Sequence, residues 1–239
     1  MNRDSGRLAS TAPNRLGLPP SIVACLFDLD GVITKTAVQH ARAWKQVFER
    51  HGIAFDEVKD YDQYVDGKPR EDGVRSVLQA RNIPATDAVV EEIASEKDSL
   101  FLELIHKEGV ETYPGSVTYV EAARHLTLKV AVVSSSKHTS DVLKAAHLQD
   151  LFDAQVDGIV AETEHLRGKP HPDTYLRAAE EVGATAENAA VYEDALAGVE
   201  AGKAGRFGLV VGVDRAGQAE ALRQHGADIV VKDLAEMMN

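Results

Sequence analysis

Asp28 and Asp30 are two carboxylates one residue apart, where the apolar run Ile22–Phe27 meets Gly31. Six apolar residues in succession predict a buried strand. Gly31 lets the chain leave that strand in a conformation other residues resist. Past the strand's end both carboxylates can converge on one small volume at the carboxyl edge of a sheet, where open α/β folds place their ligands. Carboxylates held that close repel, so the pair calls for a cation or a shared proton. A solvated Asp-Gly turn is the ordinary alternative, and this run alone leaves the choice open.

Three further pieces follow in order. The apolar strand 129–133 leads into Ser134-Ser135-Ser136-Lys137 and a helix from about Thr139. Gly168-Lys169-Pro170 sits in a loop before the helical run 173–182, and the strand 188–192 ends in Glu193-Asp194 ahead of a helix from about Ala195. Each piece lies where a strand or loop hands over to a helix, and a doubly wound sheet gathers such handovers at one edge. Ser134 and the amides after it offer donors near a helix start, a ready phosphate site. Acids are common in the first turn of a helix, so Glu193-Asp194 by themselves read as a helix end.

The elements that must position these groups fall into two regimes. Residues 36–108 lack convincing strands and read as helices: Val38, Ala41, Trp44, Val47 and Phe48 share one face of the first. Val74, Val77 and Leu78 form a second stripe, and Val89, Ile93, Leu100, Leu104 and Ile105 a third. From about 115 onward strands and helices alternate, with strand candidates at 129–133, 154–158, 189–192, 207–213 and 227–231. That alternation predicts an α/β fold, a Rossmann-like doubly wound parallel sheet with an inserted helical cap. The expected division is a flexible tail over 1–20, a catalytic core over 21–34 and 110–239, and a cap over 35–109.

The net charge of −12 argues against a nucleic-acid surface. The lone Cys25, inside the first strand, fits a reducing cytosol and reads as a small buried residue. Polar, Pro-containing residues 1–20 carry no apolar core of a signal peptide, and no stretch approaches the roughly 20 apolar residues of a membrane helix. A cytoplasmic monomer without membrane or nucleic-acid partners is the expectation.

Together, D-L-D-G-V at 28–32, Ser134, Lys169 and E-D at 193–194 resemble the haloacid dehalogenase superfamily. D-L-D-G-V-I-T-K-T-A-x-x-H-x-x-A-W (28–44), G-K-P-R-E-D (67–72), Y-P-G (113–115), S-S-S-K (134–137) and G-K-P-H-P-D (168–173) are similar to its β-phosphoglucomutase branch. The likeness spans roughly residues 21–235. It implies a mobile four-helix cap over the core and Mg²⁺-dependent phosphoryl transfer through an aspartyl phosphate. The substrate it implies is a sugar phosphate, β-glucose 1-phosphate interconverting with glucose 6-phosphate by way of glucose 1,6-bisphosphate.

Residue by residue, the resemblance makes Asp28 the nucleophile and Asp30 the general acid and base. Asp28, Asp194 and the main-chain carbonyl of Asp30 become Mg²⁺ ligands, with Glu193 beside them. Asp30 separates phosphotransferases from dehalogenases, because a halide leaves unprotonated. Lys169 supplies a point charge beside Asp28, for which a compact ammonium is suited, and Ser134 completes the phosphate site. Thr36 and His40, four residues apart on one helix face, couple substrate binding to cap closure. Arg70 can fork onto a distal phosphate, assisted by Gly67, Trp44, Lys97, Ser135, Ser136 and Lys137. By themselves Arg70 and Lys97 would read as solvated residues, and Trp44 as packing.

Two positions depart from the pattern. Lys35 stands where the family usually has Asp, beside the cap hinge, and His138 where an amide is more familiar. A sugar-phosphate or phosphoglycolate-type phosphatase shares most of these motifs. A non-catalytic phospho-aspartate receiver shares the acidic strand ends but needs neither Asp30 as a proton carrier nor an inserted cap.

Overall fold

The computed structural model describes residues 16–238. The tail expected over 1–20 lies outside them as far as residue 15, and its end is corrected: Leu16 and Leu18 are 1% and 5% exposed. The Tyr119 hydroxyl donates to the Leu16 carbonyl at 2.9 Å. Two leucines with apolar cover belong to the core.

One parallel sheet forms the centre. Its strands are β1 (Ala24–Phe27), β2 (Lys129–Val133), β3 (Ala154–Val156), β4 (Ala189–Glu193), β5 (Leu209–Val213) and β6 (Ile229–Val231), in the order β3-β2-β1-β4-β5-β6. Phe27 pairs in register with Val132 on one side and Tyr192 on the other. The chain runs outward from β1 through β2 and β3, then restarts beside β1 at β4. The winding therefore reverses at β1, and a crevice opens at the carboxyl ends of β1 and β4. Side chains of β1 alternate between two cores. Cys25 and Phe27 pack with Tyr119 and Tyr192, whereas Ala24 and Leu26 pack with Tyr175 and Val199.

Four strands are shorter than the apolar runs suggested. The run 154–158 stops at Val156 because Asp157 turns to cap the next helix, accepting from the Ile159 and Val160 amides at 3.0 Å. Phe207 and Ala227 are buried just outside β5 and β6, and Ile22 is buried just ahead of β1. Burial made these residues look like strand, although the backbone around them turns.

Between β1 and β2 lie α1 (Ala37–Arg50), a π-helical turn (Tyr61–Val65), α2 (Arg70–Ala80) and α3 (Asp87–Glu108), followed by α4 (Pro114–His125). In place of the four helices implied for the insertion, the described residues carry three α-helices and that turn. The α1 stripe begins at Ala41, since nothing covers Val38, which is 63% exposed. On α3, Val90 and Phe101 are buried, while Val89 and Leu104 are only half-buried.

The two connections to this insertion are paired with each other. The Lys35 amide donates to the Glu111 carbonyl at 2.8 Å and the Tyr113 amide to the Ile33 carbonyl at 2.9 Å. Lys35 Nζ meets Glu111 Oε2 at 2.8 Å, an exposed ion pair across the hinge. Among the described residues no helix is long and apolar enough to cross a membrane.

Beyond the insertion, α5 (Thr139–Ala145), α6 (Gly158–Thr163), α7 (Asp173–Glu181), α8 (Leu196–Ala204) and α9 (Ala219–His225) alternate with the strands.

Candidate active site

Asp28 directly follows β1 and keeps its pairing, the amide donating to the Tyr192 carbonyl at 2.9 Å. At Gly31 the backbone has φ +90°, and a Cβ there would come within 1.8 Å of Asp194 Oδ2. Glycine is thus required twice, for the turn and for the approach of the β4 carboxylate. Asp28, Glu193 and Asp194 each offer an oxygen, and these oxygens lie within 4.8 Å of one another. All three residues are buried.

A single ammonium sits among them. Lys169 Nζ lies 2.5 Å from Asp28 Oδ1, 2.6 Å from Glu193 Oε1 and 3.3 Å from the Val133 carbonyl. Burial alone would lower its pKa, but the two carboxylates reverse that and hold it above the usual lysine range. Glu193 is fully enclosed. It also accepts from the Tyr175 hydroxyl at 2.8 Å and the Ala195 amide at 3.2 Å, so it anchors Lys169 from behind.

One ammonium does not balance the acids. Burial, then the Glu193 and Asp30 charges, push the Asp28 carboxyl well above the usual range against the pull of Lys169. Burial and the charges of Asp66, Asp28 and Glu193 do the same to Asp194. Asp66, at the foot of the π-helical turn, is pushed up to about 7 by burial and by Glu193 and Asp62. No hydrogen bond to the Asp194 carboxylate occurs among the described residues. An oxygen-only set short of positive charge is the donor chemistry of a hard divalent cation, and these residues fit one.

Asp30 is held differently. It accepts from the Thr36 hydroxyl through Oδ1 and, at 3.4 Å, from the Ser134 hydroxyl through Oδ2. His40 Nε2 lies 3.4 Å from Oδ1. Burial raises its pKa, yet His40, Thr36 and Lys97 outweigh burial and bring it down to about 2. Asp30 is therefore held as a carboxylate. Behind it His40 Nδ1 meets Lys97 Nζ at 2.6 Å, and the imidazole stacks on Phe101 at 3.8 Å. Lys97, buried between Trp44 and Phe101, has its pKa lowered to about 7, chiefly by burial.

The remaining residues singled out in the sequence gather on the same cleft, which encloses about 560 Å³. Arg70 opens α2 and pairs with Asp98 through Nη1 and, at 3.5 Å, with Glu71 through Nη2. Ser135 Oγ donates to the Gly67 carbonyl at 2.8 Å, and Ser136 Oγ accepts from the His138 amide at 3.1 Å. Gly67 has φ +68° and rests on Ala195. Trp44 is 4% exposed and packs on Phe48 at 5.4 Å while touching the cleft. Lys137 is turned toward α6, its ammonium 2.9 Å from Glu162 Oε1. The sequence did not single out Asp66, Asp98 or Tyr175. Asp98 directly follows Lys97 and Asp66 directly precedes Gly67, the one local signal available for either.

Residues 22–206 match the model of the haloacid dehalogenase-like hydrolases. The chain belongs to the haloacid dehalogenase-like hydrolase family. It is an enzyme of that family's β-phosphoglucomutase-like branch. A β-phosphoglucomutase of Mycobacterium tuberculosis is 47% identical over 246 residues, covering 93% of this chain and 94% of the relative. Hexitol phosphatase A of Escherichia coli is 30% identical, covering 89% and 91%. The crystal structure of a β-phosphoglucomutase from Clostridium difficile superposes with a TM-score of 0.79 at 28% identity, covering 90% and 92%.

Proposed function

We propose that the protein is a Mg²⁺-dependent phosphotransferase working through an aspartyl phosphate on Asp28. The reaction we assign it is that of a β-phosphoglucomutase, interconverting β-D-glucose 1-phosphate and glucose 6-phosphate through glucose 1,6-bisphosphate. One observation carries this reading. Asp30, a carboxylate at about 2, lies between an acidic nest at Asp28 and a cationic wall of Lys97 and Arg70 on the helical insertion. A bisphosphate has one phosphate for each end and a hydroxyl oxygen for the middle.

In this mechanism Lys169 holds Asp28 Oδ1 and leaves the other oxygen to attack phosphorus. Asp28 and Asp194, with the main-chain carbonyl of Asp30 and with Glu193 adjacent, would hold a Mg²⁺ ion, whose charge offsets repulsion between the nucleophile and an anionic phosphate. Asp30 takes the proton of the sugar hydroxyl that attacks phospho-Asp28, and returns it when the other phosphate moves to Asp28. Thr36 and His40 keep Asp30 aimed, and Lys97 holds His40. Ser134 flanks the reacting phosphate, while Ser135, Ser136 and Lys137 assist at the distal one. Arg70 grips the distal phosphate, with Gly67 and Trp44 shaping the wall. Residues 35–109 act as a cap that shuts out water, the step separating a mutase from a hydrolase.

One feature favours the alternative, a sugar-phosphate phosphatase: the Arg70 guanidinium is already paired with Asp98, so a second phosphate must compete for it. Products decide between them. Purified protein given β-glucose 1-phosphate, Mg²⁺ and a trace of glucose 1,6-bisphosphate should yield glucose 6-phosphate, whereas free phosphate and glucose would refute the mutase reading. Arg70→Ala should cut that turnover strongly while sparing phosphorylation of Asp28 by acetyl phosphate, which has no second phosphate. Equal loss of both in a folded variant would remove the distal role.

A further inference from the structure

Asp98 stands on α3 with a cation on either side. Arg70, from α2, reaches its Oδ1, and His138, from the loop ahead of α5, has Nε2 3.0 Å from its Oδ2. The first partner belongs to the helical insertion and the second to the sheet domain, so this one carboxylate bridges the cleft. The pairing is not at the rim: the side chains of Arg70, Asp98 and His138 are 19%, 27% and 18% exposed. Half-burial opposes ionisation of Asp98, yet His138 and Arg70 bring it down to about 2. In turn the Asp98 carboxylate, seconded by Asp141 on α5, holds the His138 imidazole above its ordinary pKa. The bridge is therefore a charged one.

It is also incomplete. Arg70 Nε is buried without a hydrogen-bond partner. His138 Nε2, though close to Asp98, is off the line that a hydrogen bond needs. Buried donors left short of acceptors are uncommon. Here two of them flank one carboxylate in a cleft already read as binding phosphates. A phosphate brings three oxygens and up to two charges, more than a carboxylate can present.

We propose that Asp98 is a positioning residue that latches the helical insertion to the sheet domain in the ligand-free protein, and that a substrate's second phosphate opens this latch by taking both Arg70 and His138 from it. The proposal rests on the phosphotransferase reading for its ligand, though not for the latch itself. Asp98 stabilises the empty closed cleft and repels the incoming phosphate, so it works against distal-phosphate binding. A ligand whose only phosphate sits at Asp28 leaves the latch in place and meets no such cost, so the latch is released only when a phosphate occupies the distal end of the cleft. His138 is what gives Asp98 a cationic partner on the far side.

Two measurements test it. Trp44 is the only tryptophan in the chain and faces the cleft, so acrylamide quenching of its fluorescence reports opening without any ligand. Asp98→Asn should raise the quenching constant at unchanged secondary structure. His138→Gln should raise it too, and the double variant should go no further than the larger single effect, because both changes break one bridge. The second measurement is calorimetric binding of glucose 1,6-bisphosphate with Mg²⁺ in an Asp28→Asn background, where no turnover intrudes. There Asp98→Asn should tighten binding about three- to tenfold, the range for losing one or two partly exposed ion pairs from the starting state. A residue that merely aimed Arg70 would give the opposite sign. Quenching unchanged in Asp98→Asn, or weaker bisphosphate binding, overturns the proposal. If the unaltered cleft does not bind the bisphosphate at all, the functional reading falls and the quenching comparison alone decides the latch.

Discussion

Lys169→Met is the perturbation that asks most of the site. Methionine keeps the unbranched stem and loses the ammonium, which lies 2.5 Å from Asp28 and 2.6 Å from Glu193. Lys169 itself is 2% exposed and Glu193 0%, so water cannot replace the lost charge. Removing one partner of a buried pair costs about 3–5 kcal/mol, because the other charge is left uncompensated. For a chain of this size each kcal/mol moves the midpoint by roughly 2–4 °C. In chelator at pH 8, Lys169→Met should therefore melt roughly 6–20 °C below the unaltered protein. Two further responses follow from the same electrostatics. Asp28 and Asp194 already have folded-state pKa values raised above their unfolded ones. A raised carboxyl binds more protons folded than unfolded, so its stability contribution is present at low pH and is lost as pH rises through the folded value. The deficit of Lys169→Met should shrink on going from pH 8 to pH 5, and Mg²⁺ should raise the variant's melting temperature more than the unaltered protein's. Scanning calorimetry of both proteins, with chelator and with Mg²⁺ at the two pH values, reads all of this. A variant within 2 °C of the unaltered protein in chelator at pH 8, a bound far smaller than the roughly 6 °C minimum worked above, would refute the account of Lys169 as the charge that keeps these acids buried.

Other expectations can be checked separately. Asp194→Asn should weaken Mg²⁺ activation by more than the ~10–100-fold typical of losing an outer partner of a metal ligand; activity titrated against Mg²⁺ measures it, and an unshifted curve would remove Asp194 from the ligand set. Lys97, brought down to about 7 mainly by burial, loses its proton as pH rises through that value, and the cleft loses a positive charge. kcat/KM for a sugar phosphate should thus fall above about pH 7, and Lys97→Arg, which stays charged, should abolish that fall; a pH profile unchanged in Lys97→Arg would assign the limb to another group.

The sheet was legible because parallel strands buried on both faces read as apolar runs, as β1 and β5 do, although the edge strand β3 includes the half-buried Gln155. The strand ends were not legible. Phe207 and Ala227 are as apolar as strand residues, and only the turns formed around them exclude them from β5 and β6. Leu16 and Leu18 were hidden for a related reason. Two leucines among polar residues carry no periodicity, and their cover comes from residues such as Tyr119 and Met237, far along the chain. Val38 erred in the opposite direction, since it fits the helical stripe but sits in the one turn that nothing covers.

The candidate site divides in the same way. Asp28 and Asp30, and Glu193 and Asp194, are near neighbours in sequence, so strand geometry alone brings each pair to the sheet edge. Asp98 and His138 are 40 residues apart on different units, and their meeting depends on how the insertion sits over the sheet, which no local pattern encodes. That placement also sorts the charges. At the sheet edge Asp28, Glu193 and Asp194, with Asp66 of the insertion close by, face a single ammonium, Lys169. Lys97 and Arg70 on the insertion and His138 on the sheet domain are met by Asp30, Asp98, Glu71 and Asp141. Of these two groups, only the acidic nest at Asp28 is short of opposite charge, which a divalent cation would offset. An isolated carboxylate pair could have been a solvated turn. Three buried carboxylates, Asp28, Glu193 and Asp194, around one ammonium are costly to keep without a function, and an added cation would relieve that cost.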